Sequence, residues 1–499
     1  MYFKIKICFL LSCFSIFGGW TQQKGKSTRP NVLLILVDDL KPNLGAYGDT
    51  VAISPNIDKL ASEGVRFNNA YSNQAVCGPS RYNLLMGARS TSTGLYDFGR
   101  EFRHVYPNAV TLPQYFMNAG YHTESMGKVF HIGHGNTNDE ASWSVPHFKE
   151  KVIEYVDPKS TGRKLTREEA YFENTSMYIK DTPPIHELPR GAAWESPDVL
   201  DDAYADGRVA NHAIDRLRKL KNKSDQPFFM AVGFARPHLP FSVPKKYWDL
   251  YDPKDMPMPE YEKAPEGSPD FTKKRGHEMA NFFPVPTRQD VYDNDLKRKL
   301  IHGYYASISY MDAQLGRVMD ELKRLKMDKN TIIVLWGDHG WHLGDHAIWT
   351  KHTNFEQANH IPLIFKVPGV TKDRSVSNQF AESVDVYPTL ASLAGLEKPK
   401  GPQPIDGIDL SPVLKDVSKE IKNHAYHAFP IGGYLGEAIR TKRYRMIRWT
   451  PIRNTEKKVL YELYDYDKDP KETKNIAKEQ PKIILEITKI LDKYPLARK

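Results

Sequence analysis

The apolar positions of this chain gather in short unbroken runs that stop at polar or acidic residues. The run from Val32 to Val37 ends at Asp38-Asp39, and the run from Thr331 to Trp336 ends at Gly337-Asp338-His339. Phe228 to Phe234 leads into Ala235-Arg236-Pro237-His238, His122 to Met126 into Gly127-Lys128, and Leu363 to Val367 into Pro368-Gly369. Runs this short without alternation predict strands buried on both faces. Helical segments lie between them. Ser54-Pro55 opens one that Gly64 closes, Thr111 opens another that Gly120 closes, and Ile308, Met311, Leu315, Val318, Met319 and Leu322 form an apolar stripe at helical spacing. Strands alternating with helices predict a large, mostly parallel central sheet flanked by helices, an α/β fold.

In such sheets ligands sit outside the carboxyl ends of the strands, where Asp38-Asp39, Lys128, His238 and Asp338-His339 would collect if those strands are neighbours. Two long stretches, about 134 to 205 and 242 to 297, are rich in Pro, Lys, Glu and Asp and read as excursions over that edge. Beyond about residue 400, short strand-like segments (Tyr444 to Trp449, Val459 to Tyr466) and a helix from Pro481 to about Leu491 predict a small α+β subdomain.

The N-terminus has a charged start, Met1 to Ile7, and stays apolar to Phe17, which is short for a membrane span. It reads as an export signal, for which Gly18-Gly19 offers a small-residue cleavage site. Leu10-Leu11-Ser12-Cys13 also offers a weak lipoprotein box, with simple secretion favoured over lipidation through Cys13. The expected division is a signal over 1–19, a catalytic domain over 20–400 and a C-terminal subdomain over 401–499. The product is secreted or periplasmic, with no transmembrane anchor after processing. Cleavage would remove Cys8 and Cys13 and leave Cys77 as the mature chain's single cysteine, without an internal disulfide.

A formal charge of +9 is spread over short clusters such as Lys273-Lys274-Arg275 and Lys457-Lys458, a solvated basic surface compatible with sulfated glycans as partners. Nucleic acid is set aside, because export removes it and no recognition motif is present.

Adjacent carboxylates at a buried strand end repel one another and call for a cation or several donors. Asp38-Asp39, with Asp338-His339 at a second strand end, is therefore a candidate site for a hard divalent ion, Ca2+ before Mg2+. A zinc cluster of His339, His342 and His346 is a lesser alternative, and His134 reads as loop surface. Around Cys77, Gly78 and Pro79 suit a turn into a helix that carries Ser80 and Arg81 in its first turn. The helix N-terminus and Arg81 would welcome an anion, so spacing alone leaves open both a cysteine nucleophile and a sulfate-ester enzyme.

Cys77-Gly78-Pro79-Ser80-Arg81 resembles the C-x-P-S-R signature of type I sulfatases, in which a maturation enzyme oxidises the cysteine to formylglycine. The flanks are similar as well: Asp38-Asp39, Ser54 to Leu60, Gly127-Lys128-Val129-Phe130-His131, Arg236-Pro237-His238, Asp338-His339-Gly340-Trp341, Lys351, and Tyr461 to Pro470 with Glu472 and Asn475. Gln74 to Cys77, Leu95 to Phe98, Gly127 to His131 and the Asp338 run are most similar to the iduronate-2-sulfatase branch. Gly78, His352 after Lys351 and the lack of cysteines for disulfides depart from it.

The resemblance implies an alkaline-phosphatase-like sandwich and Ca2+ held by Asp38, Asp39, Asp338, His339 and the modified Cys77. It also implies that the hydrated aldehyde attacks sulfur and that Arg81 and Lys128 stabilise charge. His238 and Lys351 would bind sulfate and protonate the leaving oxygen, and His131 would help expel sulfate. Trp341 lines the sugar pocket or covers the metal loop. The implied substrate is a sulfated glycan, with a 2-O-sulfated uronic acid or related sugar favoured. A phosphate or phosphonate ester hydrolase of the same architecture, or a non-catalytic glycan binder, are the alternatives.

Overall fold

The computed structural model describes residues 29–173, 184–222, 225–273, 278–287, 291–453 and 457–498. The expected export signal and Cys13 lie outside them. Seven strands form the main sheet. Across it they run His122–Gly127, Phe228–Phe234, Asn31–Val37, Thr331–Gly337, Leu363–Lys366, Val65–Tyr71 and Ser375–Glu382. The first four are parallel neighbours, and only Leu363–Lys366 runs against both its partners. The sheet is thus mixed but mostly parallel, as the apolar runs predict.

Alternation along Asn31–Val37 explains the layering. Leu33, Ile35 and Val37 enter one core cluster, together with the helix Ala205–Lys221 and the 31-residue helix Asn294–Arg324. Val32, Leu34 and Leu36 enter a second, with the helices Cys77–Met86 and Leu112–Asn118. Each face is sealed by helices, which is why the three inner parallel strands are apolar between their ends, while the edge strand His122–Gly127 carries Thr123, Glu124 and Ser125. Val65–Tyr71 and Ser375–Glu382 escaped the sequence reading because Arg66, Asn68, Asn69, Ser375 and Asn378 interrupt their apolar pattern; both pair near the far edge of the sheet.

A second sheet of four antiparallel strands, His424–Ile431, Tyr434–Thr441, Tyr444–Pro451 and Leu460–Asp465, packs with the helix Pro481–Leu491 to give the α+β C-terminal unit. No helix among the described residues is long and apolar enough to cross a membrane.

Candidate active site

The four parallel neighbours end side by side, and their carboxyl ends supply Lys128, His238, Asp38-Asp39 and Asp338-His339. Close backbone approach makes this possible. Gly233 has no side chain where a Cβ would meet the Lys128 carbonyl oxygen at 2.1 Å, so Lys128 can turn inward as its strand ends. Asp39 adopts a left-handed φ of 58°, uncommon for a non-glycine residue and a sign of a conformation imposed by its surroundings. Its backbone N–H donates to Asp338 Oδ1 at 3.0 Å.

The helix Cys77–Met86 enters from the opposite side and is buried along its whole length. Its first turn explains the motif locally. Ser80 Oγ donates to the Asp338 carbonyl at 2.5 Å. Arg81, fully buried, donates to Asp338 Oδ2 through Nε at 3.1 Å and Nη2 at 3.0 Å, and to Asp38 Oδ1 at 3.2 Å. Arg81 also caps the carbonyls of Lys128 and Val129. Gly78 gives room to Phe98, which a Cβ there would approach to 3.2 Å, and Phe98 in turn packs on His131 with ring centroids 4.6 Å apart.

Asp38, Cys77, Asp338 and His339 each bring a ligand atom within 4.8 Å of the others; Asp39, Cys77 and His238 form an overlapping group. His339 Nε2 lies 3.2 Å from Cys77 Sγ, and its Nδ1 lies 3.4 Å from Asp39 Oδ1. Asp39 Oδ1 is buried without a hydrogen-bond partner. Burial, with the Asp38 charge beside it, pushes Asp338 up to about 8, and burial raises Asp39 as well. Lys128, His238 and Arg81 hold Asp38 below the usual carboxylate range despite its burial. Carboxylates crowded this way suit a hard divalent cation.

Burial and the Asp38 charge also push the Cys77 thiol well above its ordinary range. A buried thiol among carboxylates is a poor thiolate, which disfavours the cysteine-nucleophile alternative that spacing left open. Lys128 Nζ pairs with Asp38 Oδ2. Lys351 Nζ lies 3.2 Å from Asp39 Oδ1 and 5.0 Å over the Trp341 ring. Trp341 is buried beneath Lys351, so it supports that lysine. The His238 Nδ1 hydrogen bonds to the Leu239 carbonyl at 2.6 Å, which leaves Nε2 facing the site.

Above Cys77 opens a cavity of about 210 Å³ lined by Phe98, His131, His134, Glu168, Phe172, His238, Glu278, Asn281, Lys351 and His352. His134 is a correction: it is stacked on Tyr171 and Phe98 in the cavity wall rather than lying on a loop surface. The histidine trio is split too. His339 faces Cys77, whereas His342 and His346 group separately with Asp345.

Glu278 and Glu168 were not singled out from sequence. Glu278 Oε1 accepts from Lys351 Nζ at 2.6 Å and lies 3.5 Å from His238 Nε2. Both acids come from the polar excursions. The available signal was the apolar pair Met279 and Phe282, both buried, which anchors Glu278 amid charged residues.

Comparison with known proteins agrees with this geometry. The model of the family described as Sulfatase matches residues 30–396, and that described as N-sulphoglucosamine sulphohydrolase, C-terminal, matches residues 344–494. Iduronate 2-sulfatase of Homo sapiens is 35% identical over 81% of this chain and 76% of its own length. Two solved structures share the fold. A phosphonate monoester hydrolase of Agrobacterium radiobacter has a TM-score of 0.68 at 23% identity, covering 93% of this chain and 95% of its own. A protein solved in complex with its substrate D-glucosamine-2-N,6-O-disulfate has a TM-score of 0.67 at 22% identity, covering 93% and 97%. With a family match over most of its length and a shared alkaline-phosphatase-like architecture, this chain belongs to the sulfatase family and is a sulfuric ester hydrolase.

Proposed function

We propose that the protein is exported and hydrolyses sulfate esters of a sulfated polysaccharide or oligosaccharide through a formylglycine made from Cys77, with a 2-O-sulfated uronic acid of the iduronate type, or a related sugar, as substrate. The convergence of Asp38, Cys77, Asp338 and His339 within 4.8 Å beside Lys128, His238 and Lys351 carries this reading. The similarity to iduronate 2-sulfatase supports the sugar class. Export rests on the segment 1–19, ahead of a catalytic domain over 20–400 and a C-terminal subdomain over 401–499. A formylglycine-generating maturase is the implied partner.

Asp38, Asp39, Asp338 and His339 would hold the metal with the modified Cys77; ligation rich in carboxylates, three of them here, favours Ca2+ over Mg2+. Bound there, the ion would polarise the sulfate, and the hydrated aldehyde would supply the attacking and expelling hydroxyls. The chain's own groups do the rest. Arg81 fixes Asp38 and Asp338 and adds positive charge beneath the reacting sulfur. Lys128 and Lys351, both buried, would take up charge developing on the sulfate oxygens. His238 turns Nε2 to the cavity, but its proton is held on Nδ1 against the Leu239 carbonyl and burial lowers its pKa, so it would take up a proton before passing one to the leaving oxygen, with the Lys351 ammonium as the standing donor beside it. His131, with Nδ1 unpartnered and its pKa lowered by burial, is a neutral imidazole able to accept a proton.

Sulfate release from defined sulfated oligosaccharides tests the proposal, and no release from any of them would refute it. A phosphate or phosphonate ester hydrolase is the second reading, favoured by the fold shared with the phosphonate monoester hydrolase. Rates on matched aryl sulfate and aryl phosphate separate the two.

A further inference from the structure

Glu168 lines the cavity above Cys77 but has no part in the chemistry assigned so far. It stands in the first turn of the helix Arg167–Glu173 and is 7% exposed. Its Oε1 makes no hydrogen bond. The adjacent cation, Arg167, has Nε 3.5 Å from that oxygen, and spends its Nη2 on the Asn281 carbonyl and side chain. A buried acceptor whose nearest donor stands at the edge of hydrogen-bond reach is under-satisfied, at a cost in free energy. That cost is relieved if a donor arrives with the substrate.

The position of the donor follows from the cavity. Glu168 shares one cavity of about 210 Å³ with Cys77, Lys351 and His238, so with the sulfate held by those three as proposed above, the ring bearing the ester is the part of the substrate that fills the space beside Glu168. Glu278 stands on the same cavity with Oε1 taken by Lys351 and Oε2 3.2 Å from Thr350 Oγ1. The Glu168 and Glu278 charges act on one another across the cavity.

We infer that Glu168 is a specificity residue that accepts a hydrogen bond from a free hydroxyl on the ring carrying the scissile sulfate, and that with Glu278 it excludes a second anionic substituent from that side of the ring. This deepens the sulfatase reading and rests on it. A carboxylate or a second sulfate only accepts hydrogen bonds, so it would meet acceptors at both acids wherever Glu168 is ionised, and the exclusion strengthens as pH rises. A hydroxyl both donates and accepts. Burial pushes Glu168 up to about 7, and a hydroxyl is the sugar substituent that satisfies it with or without its proton. A uronate carboxylate must then leave the ring on the side away from Glu168.

Matched substrate pairs test this. Disaccharides of 2-O-sulfated hexuronate and of 6-O-sulfated hexosamine are each compared with analogues deoxygenated at single ring carbons, in the wild type, Glu168→Gln and Glu168→Ala. The wild type is expected to prefer one hydroxylated partner by about 10²–10⁴ in kcat/KM, the range of a site built around a substrate hydroxyl. In Glu168→Ala that ratio falls to within about threefold of unity, and in Glu168→Gln, which still offers an acceptor, it falls only in part. Sulfation of the same carbon is tolerated better by Glu168→Gln than by the wild type. Because each readout is a ratio within one protein, loss of folded enzyme does not alter it. A ratio unchanged in Glu168→Ala, or no hydroxyl preference in the wild type, overturns the role of Glu168. Failure of the wild type to release sulfate from every pair overturns the sulfatase reading beneath it.

Discussion

The backbone N–H of Asp39 donates to Oδ1 of Asp338 at 3.0 Å, so the two acidic strand ends hold one another across neighbouring parallel strands. With the left-handed φ of Asp39 and its unpartnered Oδ1, this gathers carboxylates whose charges oppose one another. Asp338 keeps its proton up to about pH 8 in the folded, metal-free protein and loses it near the ordinary 3.8 when unfolded. The folded state therefore holds the extra proton between those values, and metal-free stability falls as pH rises through that window. Asp39 acts in the same direction, while Asp38, held low, contributes stability that is lost only as pH falls below the ordinary carboxylate range. Buried histidines with lowered pKa, His131, His238 and His339 among them, act in the opposite direction, so the effect is read as a difference between proteins. Chelated wild type should lose more stability from pH 5.5 to pH 8 than chelated Asp338→Asn does, and added Ca2+ should restore stability and activity to the wild type. Thermal melts of both proteins with and without chelator at the two pH values check this; an equal pH response in the two contradicts it.

Cys77 as a plain thiol is expected to be inert. It is buried, its pKa is raised, and His339 Nε2 sits 3.2 Å from its sulfur among carboxylates that oppose thiolate formation. Protein made in a host without an oxidising maturase should keep the thiol and release sulfate at least about 10³-fold more slowly, as should Cys77→Ala. Peptide mass spectrometry of the segment containing Cys77 reports the fraction converted to aldehyde. Activity should scale with that fraction, and full activity in unmodified protein would contradict the role given to Cys77.

Much of this site could be read from the sequence because of how parallel strands are buried. A strand sealed on both faces is apolar until it ends, so Asp38, His238 and Asp338 announced themselves where the apolar runs stopped, whereas Lys128 follows an edge strand, His122–Gly127, that carries Thr123, Glu124 and Ser125 and is marked by its motif instead. That the four strands are neighbours was not readable; it depends on crossover order, which the pattern does not encode. Glu168 and Glu278 were hidden for a different reason. They sit in excursions where charged residues are common, and only burial marks them out. His134 was misread because its histidine- and glycine-rich segment resembles surface loop, yet its ring is stacked between Tyr171 and Phe98.

Lys128 is the cation closest to Asp38, and both side chains are out of solvent. Removing one partner of a buried pair costs about 3–5 kcal/mol because the other is left uncompensated. Because Arg81 still pairs with Asp38 at 3.2 Å, Lys128→Ala should destabilise the metal-free protein by less than that, about 1–3 kcal/mol, and lower kcat while leaving Cys77 available for conversion. Lys128→Arg should recover stability better than activity, since a forked guanidinium cannot occupy the same point beside the sulfate. Urea midpoints and kcat measured side by side separate the two effects; a variant as stable as the wild type without metal would contradict the pairing.

The C-terminal sheet reaches the metal loop through Arg445. Its guanidinium is fully buried, donates to Glu472 Oε1 at 2.7 Å and pairs with Glu356. Glu472 Oε2 in turn accepts the backbone N–H of Glu356 at 2.9 Å, which fixes the short helix Glu356–Asn359. That helix backs the active-site loop directly, because Gly340 N–H donates to the Ala358 carbonyl at 2.8 Å, two residues past Asp338. Arg445→Met leaves the buried Glu472 carboxylate without its cation, while the part-exposed Glu356 keeps Arg440, and should cost about 3 kcal/mol. Its second effect is on function. With the helix loosened, the Asp338-His339 turn loses its support, and the Ca2+ concentration for half-maximal activity should rise several-fold, although Arg445 touches neither metal ligand nor cavity. Adding Glu472→Gln to Arg445→Met removes one stranded charge and should regain part of the stability without restoring metal affinity, because the anchor to the helix stays weakened. Calcium titrations of activity alongside denaturant melts check both parts, and an unaltered calcium requirement in Arg445→Met would show that the C-terminal unit does not support the metal loop.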